Sequence, residues 1–406
     1  MYKIGLFNDS FPPFIDGVSN AVMNYAKILQ KKYCDIVVIT PRYPNVVDDY
    51  PFEVYRYQSL KFKGDMPYRV GNPFSLLAIS EIRRKKLDLV HVHSPFASSV
   101  IANSASFIRS KRIPVVLTYH TRYEIDLDRY VGKRLFKFIA HLFVSKNINR
   151  ADEVWVVSKG SIASLRSFGY KGSIRLMPNG TDFVNGKAPI EHIKVVDRMY
   201  ETADEENVFL YCGRMLWYKN IKIIIDALKI VKESGIKFKM LMVGDGPDRA
   251  LIEQYSNRQG LEDCVIFTGA IYDRVKVKAF FSRANLHLFP STYDTSGLVV
   301  IEAAACECAS VLVSGSCAAE GITDGESGFL CEKESGDSFA KAIIRAISDK
   351  EKLKEVGKKA QEVLFCSWDD AVANAYNRYE EILDEFHKKG RRRFRKSQRA
   401  ANTELL

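Results

Sequence analysis

Residues 286–305 read LHLFPSTYDTSGLVVIEAAA, and this stretch carries the pattern that decides the fold. Its first five residues form an apolar run too short for a helix, which predicts a buried strand. A polar loop containing one glycine, Gly297, follows, and a helix is predicted from Leu298 to Ala305. The stretch is therefore a strand–loop–helix unit of the kind that builds parallel sheets.

The same alternation extends in both directions from this unit. Short apolar runs separated by helices predict parallel sheets covered by helices on both faces. The predicted strands are 2–7, 35–40, 87–93, 115–119, 153–158, 174–177, 208–212, 239–243, 264–268, 286–290 and 310–314. The predicted helices are 18–31, 219–234, 249–258, 275–283, 298–305 and 369–387.

The alternation is interrupted once, by the turn residues PNGT at 178–181 and a polar stretch over 185–206. We therefore expect two doubly wound, Rossmann-like α/β domains. The predicted divisions are an N-terminal domain over 1–183, a linker region over 184–206, a C-terminal domain over 207–368, a helix over 369–388 and a basic disordered tail over 389–406.

The composition is that of a globular protein, with 47% hydrophobic and 27% charged residues among 406. The start of the chain, MYKIGLFNDSF, is typical of a buried strand rather than a signal peptide. No run approaches the roughly 18 apolar residues of a membrane span. The eight cysteines include no C-x-x-C pair, so we expect reduced thiols, no zinc site and a cytoplasmic location.

The net charge of +11 is concentrated near the end of the chain. Eight basic residues and no acid lie between Lys388 and Arg399, and subtracting these eight leaves +3 for the rest. The tail has one aromatic residue, Phe394, and no platform for stacking bases, so we expect no nucleic-acid partner. An RNA-associated protein is the alternative from a different class. We expect the tail to bind an anionic membrane surface, and a disordered solubilising tail is the alternative.

Several loops at strand ends suit a phosphate-containing ligand, because open parallel sheets bind ligands there. Arg214 and Lys219 follow the strand over 208–212, and two converging cations suit a pyrophosphate. Gly17 lies in a turn that leads into a helix, where backbone N–H groups can approach an anion. Gly244 by itself indicates only a turn between a strand and a helix. Tight turns and a solvated charged loop are the alternative interpretations.

The loop and helix of the opening stretch add two acids and backbone donors. The free N–H groups at the start of this helix are expected to face a phosphate. Glu302 lies one turn into the helix, where it is placed to accept hydrogen bonds from a ribose diol. Asp294 precedes it by eight residues, in the loop, where a carboxylate could touch a transferred sugar.

Three histidines lie near strand ends in the first half of the chain. We expect His91 and His93 to point to opposite faces of their strand, with His93 at the site and His91 in the core. His120 follows the strand over 115–119 and is a candidate site residue because of this position. The alternative for His120 is a buried histidine with its hydrogen bonds satisfied.

Together these features resemble glycosyltransferase family 4, a family of retaining enzymes with the two-domain GT-B fold. The matching segments, in the family's order, are the Gly17 loop, VHVHSP with His93, TYHT with His120, PNGTD, GRMLWYK, VGDGP, FTG and the two acids. The resemblance implies an acceptor on the N-terminal domain, a nucleotide sugar on the C-terminal domain and catalysis in a cleft between them.

The resemblance also assigns roles to these residues. Arg214 and Lys219 would hold the diphosphate. The implied donor-binding set is Gly17, Arg214, Lys219, Gly244, Gly297, Leu298 and Glu302. The implied catalytic set is His120, Asp294, Arg214 and Lys219. The acceptor-side candidates are His93, Tyr119 and Arg122.

Two positions depart from the family pattern. The first acid is usually Glu and is here Asp294, and the usual Gly after the apolar helix is here Glu307. Either change is compatible with a retuned site or with a weakened enzyme. No D-x-D triplet is present as a clear metal anchor, so we expect no metal and no cofactor beyond the nucleotide-sugar co-substrate.

The acceptor is the least constrained partner. Between Lys133 and Arg150, large apolar residues interleave with basic ones, which predicts an amphipathic basic helix that can lie on an anionic membrane. A helix packed on the sheet with a solvated face is the alternative. Residues 118–124, TYHTRYE, also resemble a segment of diacylglycerol glucosyltransferases.

The resemblance therefore implies a retaining, metal-independent hexosyltransferase. We expect UDP-glucose as the donor and a membrane glycerolipid such as diacylglycerol as the acceptor, at the inner face of the cell membrane. A family 4 enzyme of exopolysaccharide or other glycan synthesis and a GT-B epimerase acting on nucleotide sugars are the alternatives.

Overall fold

A computed structural model describes residues 1–14, 16–61, 69–108, 111–125, 134–202 and 207–401. The chain divides into two compact units, Met1–Asn179 with Trp368–Leu406, and Gly180–Ser367. The two predicted Rossmann-like α/β domains are confirmed. The final helix, which the sequence placed outside both domains, belongs to the first unit.

The first unit is built around a parallel sheet of seven strands. Its elements are β1 (Lys3–Phe7), α1 (Gly17–Lys32), β2 (Asp35–Pro41), β3 (Glu53–Tyr57), β4 (Ser59–Lys61), β5 (Arg69–Gly71), α2 (Leu76–Arg84), β6 (Leu89–Val92), α3 (Ala97–Ala105), β7 (Phe107–Ile108), β8 (Lys111–Arg112), β9 (Val115–Tyr119), α4 (Arg134–Arg150), β10 (Glu153–Val156), α5 (Ser161–Ser167) and β11 (Ile174–Leu176). The sheet order is β11-β10-β9-β6-β1-β2-β3, and two small antiparallel pairs, β4-β5 and β7-β8, lie outside it.

The second unit contains a parallel sheet of six strands. Its elements are α6 (Ile190–Tyr200), β12 (Val208–Cys212), α7 (Ile221–Glu233), β13 (Lys239–Val243), α8 (Arg249–Arg258), β14 (Val265–Gly269), α9 (Arg274–Arg283), β15 (Leu286–Phe289), α10 (Leu298–Ala305), β16 (Ala309–Val313), β17 (Phe329–Cys331), α11 (Gly336–Ile347) and α12 (Lys350–Leu364). The sheet order is β14-β13-β12-β15-β16-β17. The last helix, α13 (Trp368–Ala401), returns to the first unit.

Each sheet grows outward in both directions from one central strand. The order reverses between β1 and β6 in the first unit and between β12 and β15 in the second. Loops leaving neighbouring strands at such a point diverge to opposite faces and leave a crevice at the carboxyl ends, where ligands bind. The fold therefore marks the loops after these four strands as the places to look for a site.

The stretch predicted as a linker contains a helix, α6, that belongs to the second unit. Val196 is buried, and Ile193 and Tyr200 pack against the same apolar cluster. These three residues recur at helical spacing, which gives the segment one apolar face despite its polar composition. Part of the stretch interpreted as a linker region is therefore a packed helix of the second unit.

The basic tail also differs from the expected disorder, because α13 continues to Ala401, while residues 402–406 lie outside the described part. The helix is anchored upstream by Arg378, whose Nε donates to Glu153 Oε1 at 3.0 Å, with both side chains buried. Tyr379 stacks on Trp155 with ring centroids 5.4 Å apart. Adding turns to an anchored helix avoids the unfavourable nucleation step, which explains why the helix continues past the packed segment.

Glu307 has a structural explanation that the sequence did not provide. It adopts a left-handed backbone with φ of 56° between α10 and β16. Glycine reaches this conformation without strain, whereas a residue with a Cβ pays a steric penalty. The departure from the family's glycine therefore changes the backbone energy of a turn.

We predict that Glu307→Gly raises the free energy of unfolding by about 1 kcal/mol, because it removes the left-handed strain. Urea unfolding measures this change. Glu307→Gln is the matched control, since it removes the charge and keeps the Cβ, and it should leave stability unchanged. Equal stability of the two variants would show that the turn is not strained.

Candidate functional site

The loops after β12 and β13 meet backbone to backbone in the second unit. Gly213 and Gly244 have φ of 155° and 139°. A Cβ on Gly244 would lie 1.9 Å from the carbonyl oxygen of Gly213. Glycine at Gly244 is therefore required for the two loops to approach, and this contact fixes the backbone that presents Arg214.

Lys219 and Asp294, both predicted as site residues, form an ion pair. Lys219 Nζ lies 2.8 Å from Asp294 Oδ1 and 3.1 Å from Oδ2. Asn220 supports this arrangement by donating to the carbonyl of Pro290 at 3.2 Å. Arg214 is exposed, and within the described residues its guanidinium has no ion-pair partner. One cation is thus available to an anionic ligand, and the other is held by a carboxylate.

The start of α10 presents the predicted backbone donors. Gly297 is the N-cap with φ of 54°, and a Cβ there would lie 2.8 Å from the Cβ of Ala318. Leu298 begins the helix. Packing and backbone conformation both require glycine at Gly297, and no side chain caps the first turn of this helix.

Glu302 is nearly buried and already has a cationic partner. Its side chain is 12% exposed, and its Oε1 accepts a hydrogen bond from Arg274 Nη2 at 2.5 Å. Burial raises the pKa of the Glu302 carboxyl, and Arg274 opposes this rise. Arg274 also binds Asp182 through two nitrogens.

The histidines of the first unit correct one expectation. The rings of His91 and His93 lie 4.0 Å apart and therefore on the same side of β6. The expectation of opposite faces was wrong, because residues two apart in a strand share a face. His91 is buried, as predicted, with Nδ1 2.5 Å from the hydroxyl of Tyr379 and Nε2 2.7 Å from that of Thr118.

His93 and His120 are brought together by the adjacent strands β6 and β9. His93 Nδ1 lies 2.9 Å from His120 Nε2. His93 is fully buried, and its Nε2 has no hydrogen-bond partner among the described residues. Burial lowers the pKa of His120 to about 3 and that of His93 well below its usual value. Both rings are neutral near pH 7, so they can give or accept hydrogen bonds without carrying charge.

Tyr119, one of the three acceptor-side candidates, is fully buried, as His93 is, and its hydroxyl lies 2.7 Å from Ser164 Oγ. Its ring packs in the core of the first unit. A role for Tyr119 on the acceptor side stays a prediction. Arg122 is partly exposed and donates from Nε to Glu124 Oε1 at 3.1 Å.

Gly17 begins α1, and a Cβ on it would contact nothing within 4 Å. The carboxylate of Asp16 caps this helix by accepting the backbone N–H of Ser19 at 2.7 Å. A phosphate approaching the helix would therefore meet an acid already in place. There is open space beside Gly17, but the side chain that caps the helix is an acid and would not attract a phosphate.

Asp9 is a candidate residue that the sequence reasoning missed. Its carboxylate accepts hydrogen bonds from Ser94 Oγ at 2.6 Å and from Ser98 Oγ at 2.7 Å. Burial raises the pKa of this carboxyl. Its position two residues after β1 was a usable signal. Asp182 lay in the matched PNGTD segment, but neither it nor Arg274 carried a signal for the contacts of Arg274 with Asp182 and Glu302, which join distant parts of the chain.

The structure also bears on metals and membranes. No group of three His, Cys, Asp or Glu side chains in the described part of the chain is placed to hold a metal. The chain does contain one D-x-D triplet that the sequence reasoning passed over, Asp126-Leu127-Asp128, and it lies outside the described residues. Metal independence stays a prediction. No described helix is long and apolar enough to span a bilayer.

Helix α4 turns its large apolar side chains outward. Val144, Asn147 and Ile148 are buried against the unit. The exposed apolar residues, at 36% to 67%, are Leu135, Phe136, Phe138, Ile139, Leu142 and Phe143. The helix is thus packed on the unit by one side and exposed on the other, and a role for its apolar residues at a membrane stays a prediction. Lys133 lies outside the described residues.

Two family profiles match the chain, "Glycosyltransferase Family 4" over residues 15–184 and "Glycosyl transferases group 1" over residues 196–363. The chain belongs to the family 4 glycosyltransferases. It is 25% identical to an alpha-monoglucosyldiacylglycerol synthase of Streptococcus pneumoniae, over 75% of this chain and 69% of that protein. It is 23% identical to the enzyme of the same name from Acholeplasma laidlawii, over 88% of this chain and 92% of that protein.

Solved structures agree with this family assignment at the level of the fold. The sucrose-phosphate synthase of Thermosynechococcus elongatus superposes with a TM-score of 0.76 at 21% identity, covering 95% of this chain and all of that one. Anabaena HepE in complex with UDP and glucose gives 0.72 at 20% identity, with the same coverage. The family 4 chain thus has the GT-B fold and is a glycosyltransferase.

We predict that His120 makes stability fall with acid. The folded protein keeps the ring neutral to about pH 3, whereas the unfolded chain protonates it below about pH 6.5. This contribution is therefore complete above the unfolded pKa and is lost as the pH falls below it. Between pH 7 and pH 5 the wild type should lose about 2 kcal/mol more than His120→Gln.

Urea unfolding at the two pH values gives this difference directly, because contributions from other groups cancel between wild type and variant. Parallel losses in the two proteins would mean that His120 is protonated in the folded state.

Proposed function

We propose that this chain is a retaining hexosyltransferase that moves glucose from UDP-glucose to a membrane glycerolipid such as diacylglycerol. The observation that carries the donor side is the arrangement at the carboxyl ends of β12 and β15. There Arg214 is exposed, Lys219 is paired with Asp294, and the first turn of α10 has no side-chain cap. This is a cationic setting for a diphosphate next to a carboxylate for a sugar.

In the proposed reaction, the bond between the anomeric carbon and the β-phosphate oxygen breaks. The acceptor hydroxyl oxygen bonds to the same face of that carbon, and its proton passes to the departing phosphate oxygen. Arg214, Lys219 and the N–H groups at the start of α10 stabilise the negative charge that grows on the diphosphate. We propose that these groups suffice without a metal ion.

Neutral His93 and His120 fit an orienting role in this reaction. Because His93 Nδ1 and His120 Nε2 share one hydrogen bond, one ring donates and the other accepts. The unpartnered His93 Nε2 is then a fixed donor or acceptor for a hydroxyl group. We propose that this pair orients a hydroxyl of the sugar or acceptor and does not act as a general acid or base.

Named relatives support glucose as the sugar and a glycerolipid as the acceptor. Two of them are alpha-monoglucosyldiacylglycerol synthases, and HepE is described in complex with UDP-glucose. A relative from Staphylococcus aureus is a capsular polysaccharide glycosyltransferase, which keeps a glycan acceptor as the alternative. The exposed apolar face of α4 favours the lipid.

The proposed location is the cytoplasmic surface of an anionic membrane. Helix α4 combines its apolar face with exposed Arg134, Lys146 and Arg150, the composition of helices that lie in a membrane interface. The eight basic residues between Lys388 and Arg399 follow in the same unit, on α13. Each basic residue near such a surface contributes about 1 kcal/mol.

We predict that Lys219→Met lowers turnover roughly 100-fold to 1,000-fold, since it removes one preorganised charge from the leaving group. Asp294→Asn should lower turnover without weakening UDP binding. In the proposal, the Asp294 carboxylate contacts the sugar of the donor and makes no contact with its UDP part, and its charge opposes that of the diphosphate. The assay is hydrolysis and transfer from a panel of UDP-, GDP- and ADP-hexoses, in the presence and absence of EDTA, with UDP affinity measured by calorimetry.

Arg345→Met is the matched control, because Arg345 forms a surface ion pair with Asp324 in the same unit. If Lys219→Met keeps wild-type turnover, the proposed donor site is wrong. Loss of activity in EDTA, restored by Mg²⁺ or Mn²⁺, would contradict the proposed metal independence.

We predict that Phe136→Ser with Phe138→Ser reduces sedimentation with anionic liposomes at least tenfold, because two half-exposed aromatic anchors are lost. A chain ending at His387 should bind less at low salt and be less sensitive to added salt, since it lacks most of the basic stretch. The control is Leu251→Ser with Val363→Ser, two exposed apolar residues of the second unit.

Unchanged binding in the α4 variant would remove that helix from the proposal. Absence of liposome binding by the wild type, together with glucosyl transfer to a soluble saccharide, would favour the enzyme of glycan synthesis.

A further inference from the structure

Glu302 is one end of a three-residue chain of charges in the second unit. Arg274, the first residue of α9, donates from Nη2 to Glu302 Oε1 at 2.5 Å. Its Nε and Nη2 also donate to Asp182 Oδ2 at 2.9 Å and Oδ1 at 2.6 Å. The guanidinium carbon lies 4.5 Å from the ring centre of Phe183. A bidentate fork and an aromatic face thus fix the orientation of the arginine.

The position of Arg274 in its helix is unfavourable without these carboxylates. A cation in the first turn is opposed by the positive end of the helix dipole. The side chain of Asp273 already caps this helix by accepting from the N–H of Val275 at 2.9 Å. The two acids that bind Arg274 therefore offset the repulsion between its charge and the helix dipole. Asp182, in the PNGTD turn, is one of these two acids.

The free oxygen of Glu302 is the chemically useful part of this chain. Oε1 is occupied by Arg274, and no described residue donates to Oε2. An ionised carboxylate oxygen is an acceptor for hydroxyl groups, whereas a protonated carboxyl loses much of that capacity. Because burial disfavours the charged form of Glu302, the adjacent guanidinium supports the form that accepts.

We infer that Arg274 is a positioning residue for the donor's ribose, which orients Glu302 so that Oε2 accepts hydrogen bonds from the vicinal hydroxyl groups, with Asp182 holding Arg274 in place. This inference rests on the proposed function, in which the nucleotide of the donor binds at Glu302. It adds two residues, Arg274 and Asp182, that act on the ligand through a third.

The test compares ribose with deoxyribose in the full chain. Calorimetry would measure the affinity of wild type, Arg274→Gln, Arg274→Lys and Asp182→Asn for UDP and for 2′-deoxy-UDP. Wild type should prefer UDP by about tenfold or more, the effect of one hydrogen bond to a charged group. Arg274→Gln should lose most of this preference by weakening UDP binding, while its affinity for 2′-deoxy-UDP changes less than about twofold.

Two further variants separate positioning from folding. Arg274→Lys keeps a cation without the fork and should retain part of the preference. Arg345→Gln is the control, because Arg345 makes a comparable pair with Asp324 through two nitrogens in the same unit and should keep the full preference. In Arg274→Gln the remaining preference should increase with pH, because a carboxyl that lacks its cation ionises at higher pH.

The outcomes distinguish this inference from the proposed function. A wild type that binds UDP with ribose preference, together with an Arg274→Gln protein that keeps it, overturns the inference alone. Equal weakening of both nucleotides in Arg274→Gln also overturns it, because that shows a general effect on binding. A folded wild type that binds neither UDP, GDP nor ADP overturns the donor site and the inference together.

Discussion

Parallel strand pairing is the constraint on which the rest of this chain depends. It places the carboxyl ends of all strands of a sheet at one edge, and the reversal of strand order opens a crevice at that edge. In the first unit the crevice strands β1 and β6 lead to Asp9 and His93. In the second, β12 and β15 lead to the loops of Lys219 and Asp294. The topology thus concentrates charged and polar side chains at two edges, while the strands themselves remain apolar.

Burial then determines how those side chains are paired. A charge removed from water needs a partner, and the second unit supplies one in each case, with Lys219 on Asp294 and Arg274 on Glu302. In the proposed reaction, a diphosphate arriving at Lys219 would compete with Asp294, while the sugar that it carries would offer hydroxyl donors to the same carboxylate. The exchange would pair Lys219 with the diphosphate and leave the Asp294 carboxylate hydrogen-bonded to hydroxyl groups. As negative charge grows on the leaving phosphate, the contact with Lys219 would strengthen more than the contact it replaced, which would lower the barrier.

The sequence predicted those features that depend on local pattern. Strand ends, the glycine turns and the start of α10 followed from apolar runs and turn residues. It failed at α6, where three apolar residues in a polar stretch sufficed for a helix, and at His91 and His93, where the period of a strand was misapplied. Pairs such as Arg274 with Asp182, 92 residues apart, had no local signal. Only the folded topology brings such partners together, so the places of Arg214, Lys219 and Glu302 near strand and helix ends were predictable and the contacts of Lys219 and Glu302 were not.

The two units expose different chemistry, and this difference favours a lipid acceptor over a soluble one. The donor-side residues of the second unit are charged and suited to a water-soluble diphosphate. The first unit carries the apolar face of α4, a surface that soluble monomers rarely keep without a partner. Full burial of one large apolar side chain contributes about 1.5–3 kcal/mol, so partial burial of these six side chains in a bilayer would add substantially to the contribution of the basic residues. A polysaccharide acceptor would require no such surface. In this proposal, the cationic loops of the second unit bind the donor from water. The apolar face of α4 binds the membrane in which the lipid acceptor lies.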